Sequence, residues 1–460
     1  MQEKMDSLQR NKTWTLVPNP GNKKLNSCKW IFKKNEGIPE VEPSRYKVRL
    51  VARGYTQREG IDFTEIFSPV VKHSSIRIII AMVALLDMEL EQMDVKTTFL
   101  HGNLEEHLLM KQPEGFEHKG NEDHVCLLHK SLYGLKQSPR QWYRRFDEFM
   151  LNNDYHISKF DNCVYYGGLD QGGAIYLLLY VDDMVIASKQ KSDVEKLKNL
   201  LKGEFEIKDL GSTKRILGME IFRNKVVGTL FLSQKKYIKK VLERFDMHNS
   251  KLVLTPLGYQ FKLSAAQLTE AERAQMDGIP YAQAMGSLMY TMFCTRPDIA
   301  FAVSVVSRFL SCSNKTHWGA IKWIMRYLRG SSACGLLYGK SRSGVSEIVG
   351  YVDSDFAGDL DKRKSISGYM FILNMCIVSW KATLQPIVAL SSIEDEFVAA
   401  TEAENEAMWL KGILNELWMD HKTVEVFCAN QSALQLIKNP VFHERTKHID
   451  VNDGRRSQQK

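Results

Sequence analysis

The sequence has no long hydrophobic run and no closely paired cysteines. No stretch of about 18 uncharged apolar residues occurs, so no transmembrane helix is predicted. The first residues, MQEKMDSLQRNKTW, lack the apolar segment of a secretory signal. The 8 cysteines include no Cys-x-x-Cys pair, which argues against zinc knuckles and against a disulfide framework. These absences predict an intracellular protein with reduced thiols, cytoplasmic or nuclear, and no membrane partner.

Positive charge is concentrated near the start of the chain. The 460 residues carry a formal net charge of +8, and 44% of them are hydrophobic, which is ordinary for a globular protein of two to four domains. Residues 1–60 hold 13 Lys and Arg against 6 Asp and Glu. This segment is either a phosphate-binding surface or a solvated basic face, and its composition alone leaves both open.

Hydrophobic patterning from residue 45 onward alternates between strands and helices. Residues 45–56 read as a strand, 74–90 as a buried helix, 91–102 as a short strand and 138–154 as an amphipathic helix. The run YLLLYVDDMVIAS at 176–188 reads as two strands of a hairpin. A helix follows, with Ser192 and Glu195 at capping-box spacing. This order predicts an α+β fold with an antiparallel core.

The second half of the chain has a different pattern. A polar linker runs from TPLGYQ to about Gly278, and two helical segments follow it. Strands are then predicted at 346–353, 367–373 and 375–381, with a long helix at about 392–417. The strand TVEVFCA and the helix QSALQLIK complete a separate α/β domain.

Two adjacent aspartates, Asp182 and Asp183, lie in the middle of the apolar hairpin. Buried carboxylates are costly unless they are paired, hydrogen-bonded or bound to metal. A third, Asp94, lies in the strand QMDVKTTF, and it would converge with Asp182 if the two strands adjoin. Such a pair suits two divalent cations about 3.5–4 Å apart. A surface Asp-Asp turn is the alternative, but Tyr-x-Asp-Asp between two apolar strands favours the metal site.

Five stretches between residues 12 and 256 form a recognisable set by their order and spacing: RYKVRLVARGYTQREGIDFTEIFSPVVKHSSIR, QMDVKTTFLHGNLEE, KSLYGLKQSPRQWY, LYVDDMVIAS and LSQKKYI. This set resembles the reverse transcriptase domain of copia-type LTR retrotransposons of the plant type. It implies a right-hand polymerase with fingers, thumb and an antiparallel palm sheet. It also implies RNA-directed DNA polymerase activity with Mg²⁺ or Mn²⁺, an RNA or DNA template–primer duplex and deoxynucleoside triphosphates.

The same resemblance implies roles for individual residues. Asp94 and Asp182 match the metal-binding carboxylates, and Asp183 supports them. The remaining predicted nucleotide-site residues are Lys47 and Arg49 for the triphosphate, Phe99 as the gate against a ribose 2′-hydroxyl, and Gln137 in the template-nucleotide pocket. Taken without the family, Phe99 reads equally as core, and the two cations read as a solvated strand face.

Three stretches near the end of the chain contain carboxylates: VDSDFAGD, SSIEDEFVAATEAE and RTKHIDV. They resemble the RNase H domain that follows the polymerase in these elements. The rest of the chain is predicted to divide into a linker and helical connection at 257–343, an RNase H-like domain at 344–452 and, from its polar composition, a disordered tail at 453–460. Three of the four metal-binding carboxylates of that domain have a match here, and we predict that the matching residues are metal ligands: Asp353, Glu396 and Asp450. Ala429 occupies the position of the fourth, so we expect RNase H activity to be impaired or absent.

Helical spacing adds two expectations about this second site. Glu396 shares a face with Ala399 and Ala403, so it is predicted to face the sheet, whereas Glu394 and Asp395 are predicted to point mostly away.

The leading hypothesis is a polymerase, found in virus-like particles when the element is intact. The alternative is a non-catalytic relic that retains at most nucleic-acid binding.

Overall fold

The computed structural model describes residues 1–21, 24–35, 45–168, 173–265, 276–339, 347–417 and 423–438. Two compact units account for the chain. Unit 1 contains residues 1–72 and 88–213, and unit 2 contains residues 73–87 and 214–460. No helix in the described ranges is both long enough and apolar enough to cross a membrane. These two units are defined by the packing of the chain. The domain boundaries predicted from the sequence stay a prediction.

Unit 1 is mostly strand, with three helices. Its elements are α1 (Gln2–Arg10), β1 (Trp14–Pro18), β2 (Cys28–Asn35), β3 (Arg45–Ala52), β4 (Glu89–Val95), β5 (Asn103–Met110), β6 (His124–Lys130), α3 (Ser138–Asn152), β7 (His156–Ile157), β8 (Val164–Gly167), β9 (Ile175–Tyr180), β10 (Asp183–Ser188), α4 (Lys191–Glu204) and β11 (Ile207–Ser212). Single 3-10 turns lie at Gly54–Thr56 and Thr98–His101.

A six-stranded antiparallel sheet forms the centre of unit 1, in the order β11-β4-β10-β9-β8-β7. Alternate residues of its strands face the core, where Met93, Val95 and Met184 pack against α3 and α4. The predicted hairpin at 176–188 and the antiparallel core are therefore confirmed. A three-stranded sheet, β1-β6-β5, and the β2-β3 ribbon complete the unit around a second apolar core.

Unit 2 begins with a helix that interrupts unit 1 in sequence. Its elements are α2 (His73–Leu86), β12 (Arg215–Ile216), β13 (Met219–Asn224), β14 (Thr229–Ser233), α5 (Lys235–Arg244), α6 (Tyr281–Thr295), α7 (Ala300–Ser307), α8 (Lys315–Gly330), β15 (Gly335–Gly339), β16 (Ile348–Asp355), β17 (Ile366–Leu373), β18 (Cys376–Leu384), α9 (Ser392–Glu416), β19 (Glu425–Cys428) and α10 (Gln431–Lys438). A 3-10 turn at Pro297–Ile299 precedes α7.

Two four-stranded sheets organise unit 2. Strands β12-β13-β14-β15 are all antiparallel. The order β18-β17-β16-β19 forms the other sheet, in which only the β16–β19 pair is parallel. Helix α2 packs against β14, β15 and β18, and its apolar surface is buried on nearly all sides. The strand-strand-strand-helix-strand-helix pattern predicted for the second half is confirmed.

Element ends differ from prediction where tertiary contacts override local pattern. The helix predicted over 74–90 ends at Leu86, because Glu89 already pairs with Ser188 in the sheet and Asp87 adopts a left-handed φ of 53°. The predicted capping box of α4 does not form. This helix starts at Lys191, which places Ser192 inside the first turn, and the cap residue Gln190 makes no side-chain cap bond.

Candidate active site

The aspartate pair lies at the tip of the β9–β10 hairpin. Val181 and Asp182 form a two-residue turn, and Asp183 pairs with Tyr180 as the first residue of β10. Val181 has φ 54°, a left-handed conformation that costs a β-branched residue about 1–3 kcal/mol. Trp142 Nε1 donates to the Val181 carbonyl at 2.7 Å, and the Val95 N–H donates to the Asp182 carbonyl at 2.9 Å. These bonds hold the strained turn against α3 and β4.

The register of β4 and β10 brings the third carboxylate to the same place. Asp94 lies directly opposite Asp183, so the two side chains project from the same face of the sheet. Gln92, two residues before Asp94 on that face, donates from Nε2 to Asp183 Oδ1 at 3.3 Å. Asp94 and Asp182 both line a cleft of about 380 Å³ in unit 1, and all three aspartates are half-buried. Asp94 and Asp182 therefore line one cleft, but the aspartate that shares the sheet face of Asp94 is Asp183 and not Asp182, the residue that had been predicted.

Arg49 and Tyr133 form the wall of this cleft beside the aspartates. The Arg49 guanidinium carbon lies 5.2 Å from the centre of the Tyr133 ring. Burial raises the pKa of the Tyr133 hydroxyl; Arg49 lowers it in part, while Asp182 and Asp94 raise it further. Tyr133 was not predicted from the sequence, although it lies within the quoted stretch KSLYGLKQSPRQWY.

Two glycines hold Tyr133 against β3. The Ala52 N–H donates to the Tyr133 carbonyl at 2.7 Å. A Cβ on Gly54 would collide with the Gly134 carbonyl oxygen, and a Cβ on Gly134, which has φ +93°, would collide with the Ala52 carbonyl oxygen. Only glycine fits either position. This close backbone approach brings the ring of Tyr133 to the side chain of Arg49.

The other predicted nucleotide-site residues are placed differently. Phe99 packs edge-on against Tyr133, with ring centres 4.8 Å apart, and its partly buried side chain also touches the core. Lys47 lies in β3 opposite Lys33, and its side chain is outside the described part of the chain.

Gln137 does not line the cleft in this structure. Its side chain has no exposed surface. Its amide accepts from Gln57 Nε2 at 3.0 Å and donates to Glu106 Oε2 at 3.2 Å. A third bond runs from Gln137 Nε2 to the Asp62 carbonyl at 3.0 Å. Because these bonds use both ends of the amide, Gln137 braces the start of α3 from the interior, and a direct contact with a template nucleotide would require their release.

Helix α1 supplies a wall of the cleft that sequence patterns did not indicate. Lys4 lines it, and burial lowers the pKa of its amine to about 8, with Glu206 raising and Arg49 lowering that pKa. Lys96, also on the cleft, forms a half-exposed salt bridge with Glu206 at 3.0 Å. The cleft therefore carries both cations and carboxylates.

The second predicted site lies in unit 2, where β16 and β19 run in parallel. Val352 pairs with Cys428, so Ala429, one residue past the end of β19, lies beside Asp353. Burial raises the pKa of the Glu396 carboxyl to about 7, and Asp353 and Asp395 raise it as well. Asp353 and Glu396 therefore lie close together, as predicted. Asp450 lies outside the described residues.

Two details of this second site differ from prediction. Glu394 and Asp395 do not point away into solvent: both are buried, and Asp395 Oδ2 accepts from Ser354 Oγ at 2.9 Å because the first turn of α9 packs onto β16. Asn430 is not free to replace the missing carboxylate, since its Oδ1 accepts from the Ala433 N–H at the start of α10.

Preformed metal cages are absent from the described ranges. No three or more His, Cys, Asp or Glu side chains there are grouped closely enough to hold a metal ion. This is compatible with Mg²⁺ chemistry, because Mg²⁺ in nucleotide-processing sites is commonly held by one or two carboxylates together with substrate phosphates. Asp94 and Asp182, two hard oxygen donors on one cleft, fit that requirement.

Comparisons with known proteins agree with this geometry. The family described as "Reverse transcriptase (RNA-dependent DNA polymerase)" matches residues 11–258. The Pol polyprotein of transposon TNT 1-94 from Nicotiana tabacum is 52% identical over 98% of this chain, which covers 34% of that protein. The Pol polyprotein of transposon RE1 from Arabidopsis thaliana is 37% identical over 96% of this chain, which covers 30% of that protein. The chain thus spans about a third of the length of these curated relatives.

A solved foamy viral protease–reverse transcriptase in complex with double-stranded DNA matches 96% of the chain at 11% identity and a TM-score of 0.49, a likeness too distant to support a conclusion. The family match covers more than half of the chain and includes the hairpin and the cleft residues Arg49, Asp94 and Asp182. The chain belongs to the reverse transcriptase family, among the Pol polyproteins of copia-type plant retrotransposons.

Proposed function

We propose that this chain is an RNA-directed DNA polymerase that adds deoxynucleotides to a primer 3′-hydroxyl in the cleft of unit 1. The observation that carries the proposal is the presence of Asp94 and Asp182 on one cleft with Arg49. Nucleotidyl transfer requires carboxylates for divalent cations and a cationic group for the triphosphate, and this cleft holds both. The template–primer duplex of RNA or DNA and the deoxynucleoside triphosphates are the partners that follow from this chemistry.

Asp94 and Asp182 would hold Mg²⁺ or Mn²⁺, which would activate the primer 3′-hydroxyl and neutralise the charge that develops on the leaving pyrophosphate. Asp183 keeps its position through the bond from Gln92 and the pairing with Asp94, and so fixes the end of β10 beside them. Arg49 binds phosphate oxygens with its planar guanidinium, which Tyr133 orients by contact with its ring. Phe99 supports Tyr133 from the core side and limits the space for the sugar.

We also propose that the RNase H-like site is impaired. Ala429 has no ligand atom, and Asn430, the nearest polar residue in sequence, caps α10. A two-metal centre that lacks one of four carboxylates binds metal weakly and turns over slowly.

Primer extension on poly(rA)–oligo(dT) with Mg²⁺ or Mn²⁺ tests the polymerase proposal. We expect the purified chain to extend the primer, and Asp182→Asn to lower the rate by about 1,000-fold or more, because the isosteric amide cannot replace an anionic metal ligand. Asp123→Asn is the matched control, since Asp123 is exposed and lies outside the cleft. Folded protein that does not extend the primer would favour a non-catalytic relic that binds nucleic acid at most.

A further inference from the structure

Helix α1 presents a polar face to the cleft that holds Asp94 and Asp182. Met5 and Leu8, 5% and 1% exposed, anchor the helix in the apolar core beneath β3 and β6. The residues on its other side line the cleft: Glu3, Lys4, Ser7 and Arg10. These positions recur at helical spacing, so the anchoring of Met5 and Leu8 fixes the direction of the polar face.

Lys4 and Arg49 bring two positive charges close together on this cleft. Both side chains line the cleft. Burial lowers the pKa of the Lys4 amine, Glu206 raises it, and Arg49 lowers it further, so both charged groups lie near Lys4. Among the described residues, neither side chain forms a salt bridge: Arg49 lies against the ring of Tyr133, and the nearby Glu206 is bridged to Lys96 at 3.0 Å. Two neighbouring cations repel each other, and an anion bound between them offsets that repulsion.

The chemistry of the cleft indicates which anion this is. Asp94 and Asp182 repel anions unless cations lie between them and the ligand. A ligand that satisfies both ends of the cleft carries several phosphate groups, with one end near the aspartates and the other near Lys4 and Arg49. The volume of about 380 Å³ is in the range of small-molecule sites. A nucleoside triphosphate has this charge distribution and this approximate size.

We propose that Lys4 of α1 contacts the triphosphate of the incoming nucleotide together with Arg49, so that α1 forms part of the nucleotide site. This inference rests on the proposed polymerase function and adds a residue, Lys4, to its substrate-binding groups. The pyrophosphate product shares the same chemistry and is expected to bind the same two cations. Backbone phosphates of the template–primer are the competing source of anionic groups, and the experiment separates them from the nucleotide.

Equilibrium binding of dTTP tests this role without requiring turnover. Binding is measured with the full chain on chain-terminated poly(rA)–oligo(dT), with Ca²⁺ in place of Mg²⁺. We expect Lys4→Gln to raise the Kd for dTTP by about tenfold, as for the loss of one charge-assisted contact, and Lys4→Arg to stay within about threefold of the wild-type chain. Lys119→Gln, at an exposed position outside the cleft, is the charge-matched control. The Kd for the template–primer itself is expected to stay unchanged in all variants.

Each alternative result has a definite meaning. Equal dTTP affinity in Lys4→Gln and Lys119→Gln overturns the proposal, as does a loss confined to template–primer binding. Failure of the wild-type chain to bind dTTP overturns it as well. Primer extension with Mg²⁺ by the same preparations is read separately. A chain that binds dTTP through Lys4 but does not extend the primer leaves the binding role intact and refutes the polymerase function. If all variants extend the primer equally well and have equal KM for dTTP, the polymerase function is supported and the binding role of Lys4 is refuted.

Discussion

Replacing Arg77 with methionine should destabilise unit 2 strongly. Arg77 lies on α2 and is 5% exposed. Its Nε donates to the Val378 carbonyl at 2.7 Å and its Nη1 donates to the Phe293 carbonyl at 2.8 Å. The guanidinium also lies 3.9 Å from the centre of the Trp380 ring. Burial lowers its pKa only to about 10, so the group stays charged at neutral pH. One side chain therefore ties α2 to segments more than 200 residues later in the chain.

The size of the effect follows from these three contacts. Hydrogen bonds with a charged donor contribute about 1.5–3 kcal/mol each, and a buried cation–π contact contributes about 2 kcal/mol. Desolvation of the guanidinium offsets a large part of this sum. Methionine fills most of the volume but leaves the buried Val378 carbonyl and the partly buried Phe293 carbonyl without this donor, at about 1–3 kcal/mol for a buried group and less for the other. We therefore expect Arg77→Met to lower the free energy of unfolding by about 3 kcal/mol.

Urea unfolding and thermal unfolding measure this change. A loss of about 3 kcal/mol corresponds to a fall in Tm of about 6–12 °C for a unit of this size. Arg244→Met is the matched control, because Arg244 is exposed at the end of α5 and its loss should change stability by about 0.5 kcal/mol or less. If the two variants are equally stable, the buried guanidinium does not hold α2 in unit 2 and the reasoning is refuted.

Two further predictions concern acid stability and the second site. Burial raises the pKa of Asp209, but hydrogen bonds from Lys202 and Lys198 outweigh it and lower that pKa to about 2. Because the folded pKa is below the unfolded value of about 3.9, the stabilisation is fully present above pH ~4 and is lost as the pH falls toward 2. Asp209→Asn should thus be less stable than the wild-type chain at pH 6 and converge with it near pH 2 in urea unfolding; a constant difference would contradict this. Ala429→Asp restores a carboxylate beside Asp353 and should increase Mg²⁺-dependent cleavage of an RNA–DNA hybrid at least about tenfold. Robust cleavage by the unmodified chain that Asp353→Asn abolishes would show that the fourth ligand is dispensable.

The hairpin around Asp182 was predictable because it is specified by residues that are adjacent in the sequence. Two apolar strands flank a two-residue turn, and the alternation of side chains within each strand is a property of the backbone. The long helix α9 and the strand pattern around it were predictable for the same reason, with ends within a few residues of those observed. The boundaries that differed, at Leu86 and Lys191, are positions where pairing or packing with distant residues competes with the local pattern.

Roles of polar side chains were harder to predict because they depend on which segments meet. Gln137 is on the expected helix start, yet Gln57 and Glu106 reach it from other parts of unit 1 and bury it. Asp395 was expected to point mostly away from the sheet, and the packing of α9 on β16 buries it beside Ser354. The hydrophobic periodicity of these two segments carries no information about which distant residues contact Gln137 and Asp395.

The sequence by itself determined the family and the α+β class, and it predicted the three aspartates of the first site and the alanine at the second, because these depend on residue identity and local order. Only the tertiary structure decided that Tyr133 and Lys4 share a cleft with Asp94 and that Arg77 joins α2 to the second half of the chain. The physical reason is that strand register and helix packing bring together residues far apart in sequence. Their energies arise from burial and charge in the assembled interior, which exists only in the folded chain.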